Sequence, residues 1–275
     1  MNKPVPTVAA VHDISGVGRC ALTVAIPVIS AMGAQVCPAP TACLSYHTGF
    51  TGKKPVKMND LSAFLEVILD SWAQAHESFD CIYTGYLGSP AQAGLIARFM
   101  DSQEDALKLV DPVMGDDGAL YSGITHEMAE AMKDLCRRAT VITPNMTEYA
   151  ALTGEEYSLR PRTADEVRRM LDKLEAKSVV ITSVPTEKGL VNACRDGSGR
   201  VSLIPFNTMK RHYPGTGDLF ASVLCGALVE GDDLETAVDR AAAFVSHAIE
   251  ISMDIDIDSN YGVQLEAALP MLLRR

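Results

Sequence analysis

The chain has 275 residues, 47% of them hydrophobic, which is enough to bury a large core. A formal net charge of −11 argues against a nucleic-acid surface, and no apolar run reaches the roughly 18 residues that a membrane span needs. The seven cysteines are scattered without a Cys-x-x-Cys pair, and the N-terminus lacks a signal-peptide pattern, so a soluble protein of the reducing cytoplasm is expected.

Residues 8–11 are a short apolar run, predicted as a strand and broken by His12-Asp13-Ile14-Ser15-Gly16. A helix is predicted over 18–32 and a second strand over 34–37. The junction Gly16-Val17-Gly18-Arg19-Cys20-Ala21 matches the Gly-x-Gly-x-x-Ala dinucleotide fingerprint. That fingerprint also needs an acid about 20 residues on, and no Asp or Glu lies between Asp13 and Asp60. These glycines therefore read as a tight turn that lets a substrate approach the backbone. Residues 38–57 look irregular, with Pro38, Pro40, Gly52 and Pro55 around Ser45-Tyr46-His47-Thr48-Gly49-Phe50, and are either a flap or a solvent loop. Asn59-Asp60 is expected to cap a helix reaching about residue 75.

A strand over 81–84 ends in Gly85-Tyr86-Leu87-Gly88-Ser89, and Pro90 opens the next helix. The strand at 107–110 ends in Asp111-Pro112-Val113-Met114-Gly115-Asp116-Asp117-Gly118. After a helix over 126–137, a strand at 140–143 runs into Pro144-Asn145-Met146-Thr147-Glu148. A helix over 164–176 and a strand over 178–182 follow. This alternation predicts an α/β fold, a mostly parallel sheet covered on both faces, as a single domain over residues 1–275. In such sheets the ligand lies beyond the carboxyl ends of the strands, so His12, Gly85, Asp111, Thr143 and Ser183 should share one rim. Residues 190–194 and 201–205, joined through Asp196-Gly197-Ser198-Gly199, read as a short antiparallel hairpin. Helices over 219–229 and 234–250 come next. The run Met253-Asp254-Ile255-Asp256-Ile257-Asp258 lacks the glycine and terminal glutamate of a calcium loop and reads as a solvated loop before a C-terminal helix.

Ahead of the first of those two helices stands Tyr213-Pro214-Gly215-Thr216-Gly217-Asp218. Such a turn can aim backbone N–H groups at an anion, with the helix dipole behind them. Asp218, in the first helical turn, suits a base that takes a proton from an attacking hydroxyl. Gly-x-Gly-Asp alone is equally a capped loop. The acids at the other strand ends (Asp111, Asp116, Asp117, Glu148) favour chemistry, because carboxylates so placed suit a hydrated hard cation carrying a nucleotide. A P-loop, a His-Glu-x-x-His pair and a Gly-x-Ser-x-Gly elbow are all missing. Of the six histidines only His12 and His47 fall on candidate site loops. Phosphoryl transfer is the expected reaction class.

The segments 111–116, 143–148 and 215–218 resemble, in order, the successive motifs of ribokinase-like vitamin kinases. Gly85-Tyr86-Leu87-Gly88-Ser89 and Ser45-Tyr46-His47-Thr48-Gly49 resemble the pyridoxal kinase branch, and the resemblance runs from residue 8 to about residue 251. It implies a three-layer α/β/α sandwich and ATP-dependent phosphorylation of the 5′-hydroxymethyl group of pyridoxal, pyridoxine or pyridoxamine, in vitamin B6 salvage. It casts Asp218 as the base and Gly215, Thr216 and Gly217 as the anion hole. Asp111, Thr143, Asn145, Glu148, Thr182 and Ser183 would serve ATP, with Asp116 and Glu148 on Mg²⁺ and its waters, with or without a monovalent cation. Asp13, His47, Thr48, Tyr86 and Tyr121 would surround the vitamer, and a homodimer is expected. Many members carry serine where Asp13 stands. A carboxylate there could pair with a protonated ring nitrogen or a substrate amine, which shifts the expected preference toward pyridoxamine. The alternatives are a hydroxymethylpyrimidine kinase and, from another class, a non-catalytic vitamin B6 binder.

Overall fold

Strand β1 (Thr7–Ser15) is apolar on both faces, with Val8 facing one core and Ala9 and Val11 the other, as a central parallel strand requires. The computed structural model describes residues 5–50, 56–121, 123–206 and 213–273. Helix α1 (Leu22–Ala31), β2 (Gln35–Leu44), β3 (Met58–Asp60), α2 (Ser62–Gln74), β4 (Cys81–Thr84), α3 (Pro90–Ser102) and β5 (Leu107–Val110) follow β1. Next come the short pair β6 (Gly115–Asp116) and β7 (Ala119–Leu120), then α4 (His126–Arg138), β8 (Val141–Ile142), α5 (Met146–Thr153) and α6 (Ala164–Asp172). The chain continues with β9 (Ser178–Thr186), β10 (Gly189–Arg195), β11 (Val201–Pro205), α7 (Thr216–Glu230), α8 (Leu234–Met253) and α9 (Leu265–Ala268).

Among the described residues one sheet runs β11-β10-β9-β8-β5-β4-β1-β2-β3, and β6 pairs separately with β7. The six strands from β9 to β2 are parallel, and β3, β10 and β11 add antiparallel edges. One face is packed by α2 to α6 through residues such as Leu65, Ile96, Met132 and Val167. The other is packed by α1, α7 and α8 through Val28, Leu224 and Phe244. The result is the α/β/α sandwich expected from the alternation of elements, with the hairpin joined to the main sheet. The cysteines behave as small apolar residues: all are free, and five of the seven are buried.

Three local expectations are corrected. Strand β2 runs straight through Pro38 and Pro40, which looked like loop residues. Both have the same parity, and β3 pairs only with Ala42, Cys43 and Leu44. The missing N–H groups therefore fall on the open side of β2, where no donor is needed. Helix α1 starts at Leu22, four residues later than predicted, because Gly18 takes φ +103° and Ala21 φ +48°. Asn59 and Asp60 belong to β3 and the N-cap of α2 is Leu61, although Asp60 Oδ1 accepts from Ser62 N–H at 2.7 Å.

Candidate active site

The carboxyl ends of the parallel strands and the start of α7 enclose a cavity of about 440 Å³. From β1 comes Asp13, from the segment after β2 come His47 and Thr48, and from the end of β4 comes Tyr86. The segment after β5 supplies Asp111, Asp116 and Tyr121; that after β8 supplies Thr143, Asn145 and Glu148; and β9 supplies Thr182. Gly215, Thr216, Gly217 and Asp218 close the opposite wall. Ser183 lies instead in an adjoining cavity of about 750 Å³, which shares Asp116, Asn145, Thr182 and Gly217 with the first. There Ser183, at φ +56°, donates its N–H to Asn192 Oδ1 at 3.2 Å. Leu190, Phe206, Val245 and Ile249 make this second cavity apolar.

Gly215 is the N-cap of α7 at φ +81°, a left-handed conformation that suits glycine. A Cβ there would stand 2.1 Å from the Arg19 carbonyl oxygen, so the turn is pressed onto the chain leading into α1. No side chain caps this 15-residue helix. The first-turn N–H groups of Thr216, Gly217 and Asp218 have no intrahelical acceptor, and all three residues line the cavity at the positive end of the helix dipole. Asp218 is held from two sides. Ala21, in a strained left-handed conformation, donates its N–H to the carboxylate, and the Ser222 hydroxyl donates to the Asp218 carbonyl at 2.6 Å. Burial pushes the Asp218 carboxyl up to about 6, with the Ala21 N–H acting against it.

Asn145 and Glu148 form a reciprocal capping box at the start of α5. Asn145 Oδ1 accepts from Thr147 and Glu148 N–H at 2.8 and 2.9 Å, and its Nδ2 donates to the Gly115 carbonyl at 2.8 Å. Glu148 takes Asn145 N–H at 2.8 Å on one oxygen and Met114 N–H at 3.1 Å on the other. The pair therefore ties α5 to the acidic loop after β5. The Asn-x-x-Glu spacing is thus a capping signature as well as part of the acidic rim. Thr143 Oγ1 donates to Asp111 Oδ1 at 3.0 Å. Burial and then Asp218 raise Asp111, while burial and then Asp111 raise Glu148. Six carboxylates line the cavity (Asp13, Asp111, Asp116, Asp117, Glu148, Asp218), and among the described lining residues there is no lysine or arginine. A cavity so charged fits a cation brought by the ligand. Among the described residues no three His, Cys, Asp or Glu form a metal cluster.

Asp13 is 6% exposed and accepts from Ser15 Oγ at 3.2 Å. Burial first, and then Asp218, push its carboxyl up to about 7. His47 Nε2 lies 2.7 Å from the Asn260 carbonyl and so donates to it. That nitrogen is engaged with the chain, while the residue itself lines the cavity. The reading of the Gly16-x-Gly18 turn is corrected. A Cβ on Gly16 would lie 3.2 Å from the Ser45 carbonyl oxygen, and one on Gly18 would lie 2.5 Å from His47 Cδ2. The glycines make room for the chain's own loop at 45–50, not for a substrate. His12 leaves the rim as well: it is fully buried in β1, packs edge-on against Tyr83, and burial holds it down to about 3. Gly85 is glycine because a Cβ would sit 2.2 Å from His12 Nδ1. The residues missed from sequence are Ser259 and Asn260, which reach the cavity from a 3-10 turn near the C-terminus. No motif marks them.

Comparison with known proteins gives one consistent answer. The family model described as phosphomethylpyrimidine kinase matches residues 25–263. A pyridoxine/pyridoxal/pyridoxamine kinase of Bordetella avium is 32% identical over 246 residues, 84% of this chain and 80% of its own length. A crystal structure from Bacteroides thetaiotaomicron, described as a phosphomethylpyrimidine kinase and solved with pyridoxal, is 40% identical with a TM-score of 0.92, covering 98% of this chain and 96% of the other. The pyridoxal kinase of Lactobacillus plantarum is 33% identical with a TM-score of 0.88, covering 98% and 97%. On these grounds the chain belongs to the phosphomethylpyrimidine kinase family, within the ribokinase-like kinases that include the pyridoxal kinases.

Proposed function

We propose that the chain is an ATP-dependent kinase that phosphorylates the 5′-hydroxymethyl group of the B6 vitamers. The observation that carries this reading is Asp218, a partly buried carboxylate raised to about 6, set beside uncapped N–H groups at the start of α7. Kinship with B6-vitamer kinases at 32–33% identity, and with the 40% identical structure holding pyridoxal, supports it. Asp218 takes the proton of the 5′-hydroxyl as its oxygen bonds to the γ-phosphorus and the bond to the β-phosphate breaks, leaving ADP. The N–H groups of Gly215, Thr216 and Gly217 hold the transferring phosphoryl, where fixed dipoles in a site with little water are most effective. Thr143, Asn145 and Thr182 line the path of the phosphates into the larger apolar cavity, which receives the base, with Ser183 on its wall.

The acidic loops fit Mg²⁺: Asp116 and Glu148, together with Asp111, would hold it through its waters, with or without a monovalent cation. The metal supplies charge neutralisation on the phosphates. His47, Thr48, Tyr86 and Tyr121 enclose the vitamer, and Asp13 faces its cationic nitrogen, so pyridoxamine is the favoured vitamer. The reading extends to one kinase domain over residues 1–275, acting as a homodimer in the cytoplasm, in keeping with the free cysteines. Among the described residues no helix is long and apolar enough to cross a membrane.

The family match supports a second reading, phosphorylation of hydroxymethylpyrimidine. A coupled ADP-release assay with Mg²⁺-ATP and pyridoxal, pyridoxine, pyridoxamine or hydroxymethylpyrimidine separates the two. Turnover on the vitamers with the highest kcat/KM among them supports the first reading, and exclusive turnover of the pyrimidine overturns it.

A further inference from the structure

The loop at 45–50 and the 3-10 turn Ser259–Tyr261 meet over the cavity although His47 and Asn260 are 213 residues apart in sequence. Two contacts join them, and a third braces the loop from within. His47 Nε2 donates to the Asn260 carbonyl at 2.7 Å. The Phe50 ring meets the Tyr261 ring edge-on at 5.3 Å and 87°, and the His47 ring lies 5.2 Å from Phe50. Gly18 has no side chain, which leaves the space the His47 ring fills.

The turn is itself anchored. Arg19 N–H and Nη1 both donate to the Tyr261 carbonyl, at 3.3 and 3.2 Å, and Arg19 Nε pairs with Glu266 at 2.9 Å. Asp258 Oδ1 accepts from Asn260 N–H and Nδ2 at 3.0 and 2.9 Å. The Arg19 carbonyl is the group that Gly215 packs against. Residues 18 and 19 thus touch the loop, the C-terminal turn and the phosphate turn at once.

We propose that Ser259–Tyr261 is a positioning element of the acceptor site: it latches the 45–50 loop over the acceptor and, through Arg19, fixes that loop against the phosphate turn at Gly215. The proposal rests on the kinase reading above for its kinetic consequences, but not for its structural ones. The residues that touch the acceptor, Thr48 foremost, are set in place by a turn contributed from the far end of the chain. Tyr261 acts only through Phe50, so it is a positioning residue.

The test compares Tyr261→Ala, which removes the ring from Phe50, with Tyr261→Phe, which keeps it. The edge-on pair sets the scale, so the Ala variant should raise the vitamer KM roughly two- to tenfold. Its kcat and its KM for ATP should stay within about twofold of the parent, and Tyr261→Phe should behave as the parent does. His47→Ala combined with Tyr261→Ala should be no worse than His47→Ala alone, because both break one latch. Multiplying losses, or an unchanged vitamer KM in Tyr261→Ala, overturn the proposal. Hydrogen exchange at residues 45–50 is the readout that needs no turnover. Protection should fall in Tyr261→Ala and in Arg19→Met, and persist in Tyr261→Phe; equal protection in all of them also overturns it. If the parent enzyme turns over no vitamer, the kinase reading fails, and the exchange data still decide the latch.

Discussion

Replacing Asp13 by Asn keeps the shape of the side chain, and an acceptor for Ser15 Oγ, while removing the charge. In the unliganded fold, burial and then Asp218 hold Asp13 at about 7 against an ordinary 3.8. The folded chain therefore keeps a proton that the unfolded chain releases. Its stability is complete below about pH 4 and declines as pH rises toward and through 7. A shift of about three pH units, at about 1.36 kcal/mol each, makes this loss on the order of 4 kcal/mol at about pH 8.5. Asp13→Asn should recover most of it. The melting temperatures of the two proteins should converge near pH 4 and separate by roughly 10 °C at about pH 8.5. Differential scanning fluorimetry without ligands, from about pH 4 to 9, measures the separation. A difference that does not vary with pH, or a variant less stable than the parent at high pH, would refute the electrostatic reasoning. The variant should gain stability and lose function: a charge-assisted bond to a cationic nitrogen is removed, so kcat/KM for pyridoxamine should fall roughly tenfold or more. An unchanged ranking of the three vitamers would show that Asp13 does not set the preference.

Asp218→Asn should lower kcat by roughly 10² to 10⁴ while thermal-shift binding of pyridoxal persists. Because the base must be ionised, kcat/KM of the parent should rise with pH along a limb near 6. A binding defect equal to the rate defect would argue against a base. Gly85→Ala brings a Cβ to within 2.2 Å of His12 Nδ1 and should cost roughly 1–3 kcal/mol in urea unfolding. A second change, His12→Ala, should relieve part of that cost, and strict additivity would count against the contact. Asn145→Ala removes the α5 cap and the bond to the Gly115 carbonyl. It should cost roughly 1 kcal/mol of stability and raise KM for ATP more than KM for the vitamer.

The layered fold and the rim of the site were legible because their signals are local and periodic. Apolar runs of strand length alternate with amphipathic helices, and strand ends are where such folds place ligands. Of the five strand-end residues expected to share one rim, Asp111 and Thr143 line the cavity, Ser183 lines the adjoining one, and His12 and Gly85 line neither. The failures share one cause, which is that a residue's partner can be remote in sequence. Gly16 and Gly18 look like a ligand turn until the loop at 45–50 is seen to fill the space beside them. His12 looks like a rim residue until Gly85 is seen to leave a slot for its ring. Asn145 and Glu148 combine both cases, since their capping box is written in the sequence while their hold on the loop after β5 is not.

The class of chemistry was readable from residue order, because a Gly-x-Gly-Asp turn before an apolar helix and acids at successive strand ends are properties of order along the chain. How the wall around Asp13 and His47 is built became visible in the folded chain alone. Folding brings Asp13 within the field of Asp218, spends His47 on the Asn260 carbonyl, and lays the C-terminal turn beside the loop at 45–50. Those contacts depend on burial and close packing between segments far apart in the chain, and nothing in the local pattern of residues encodes which segments will meet.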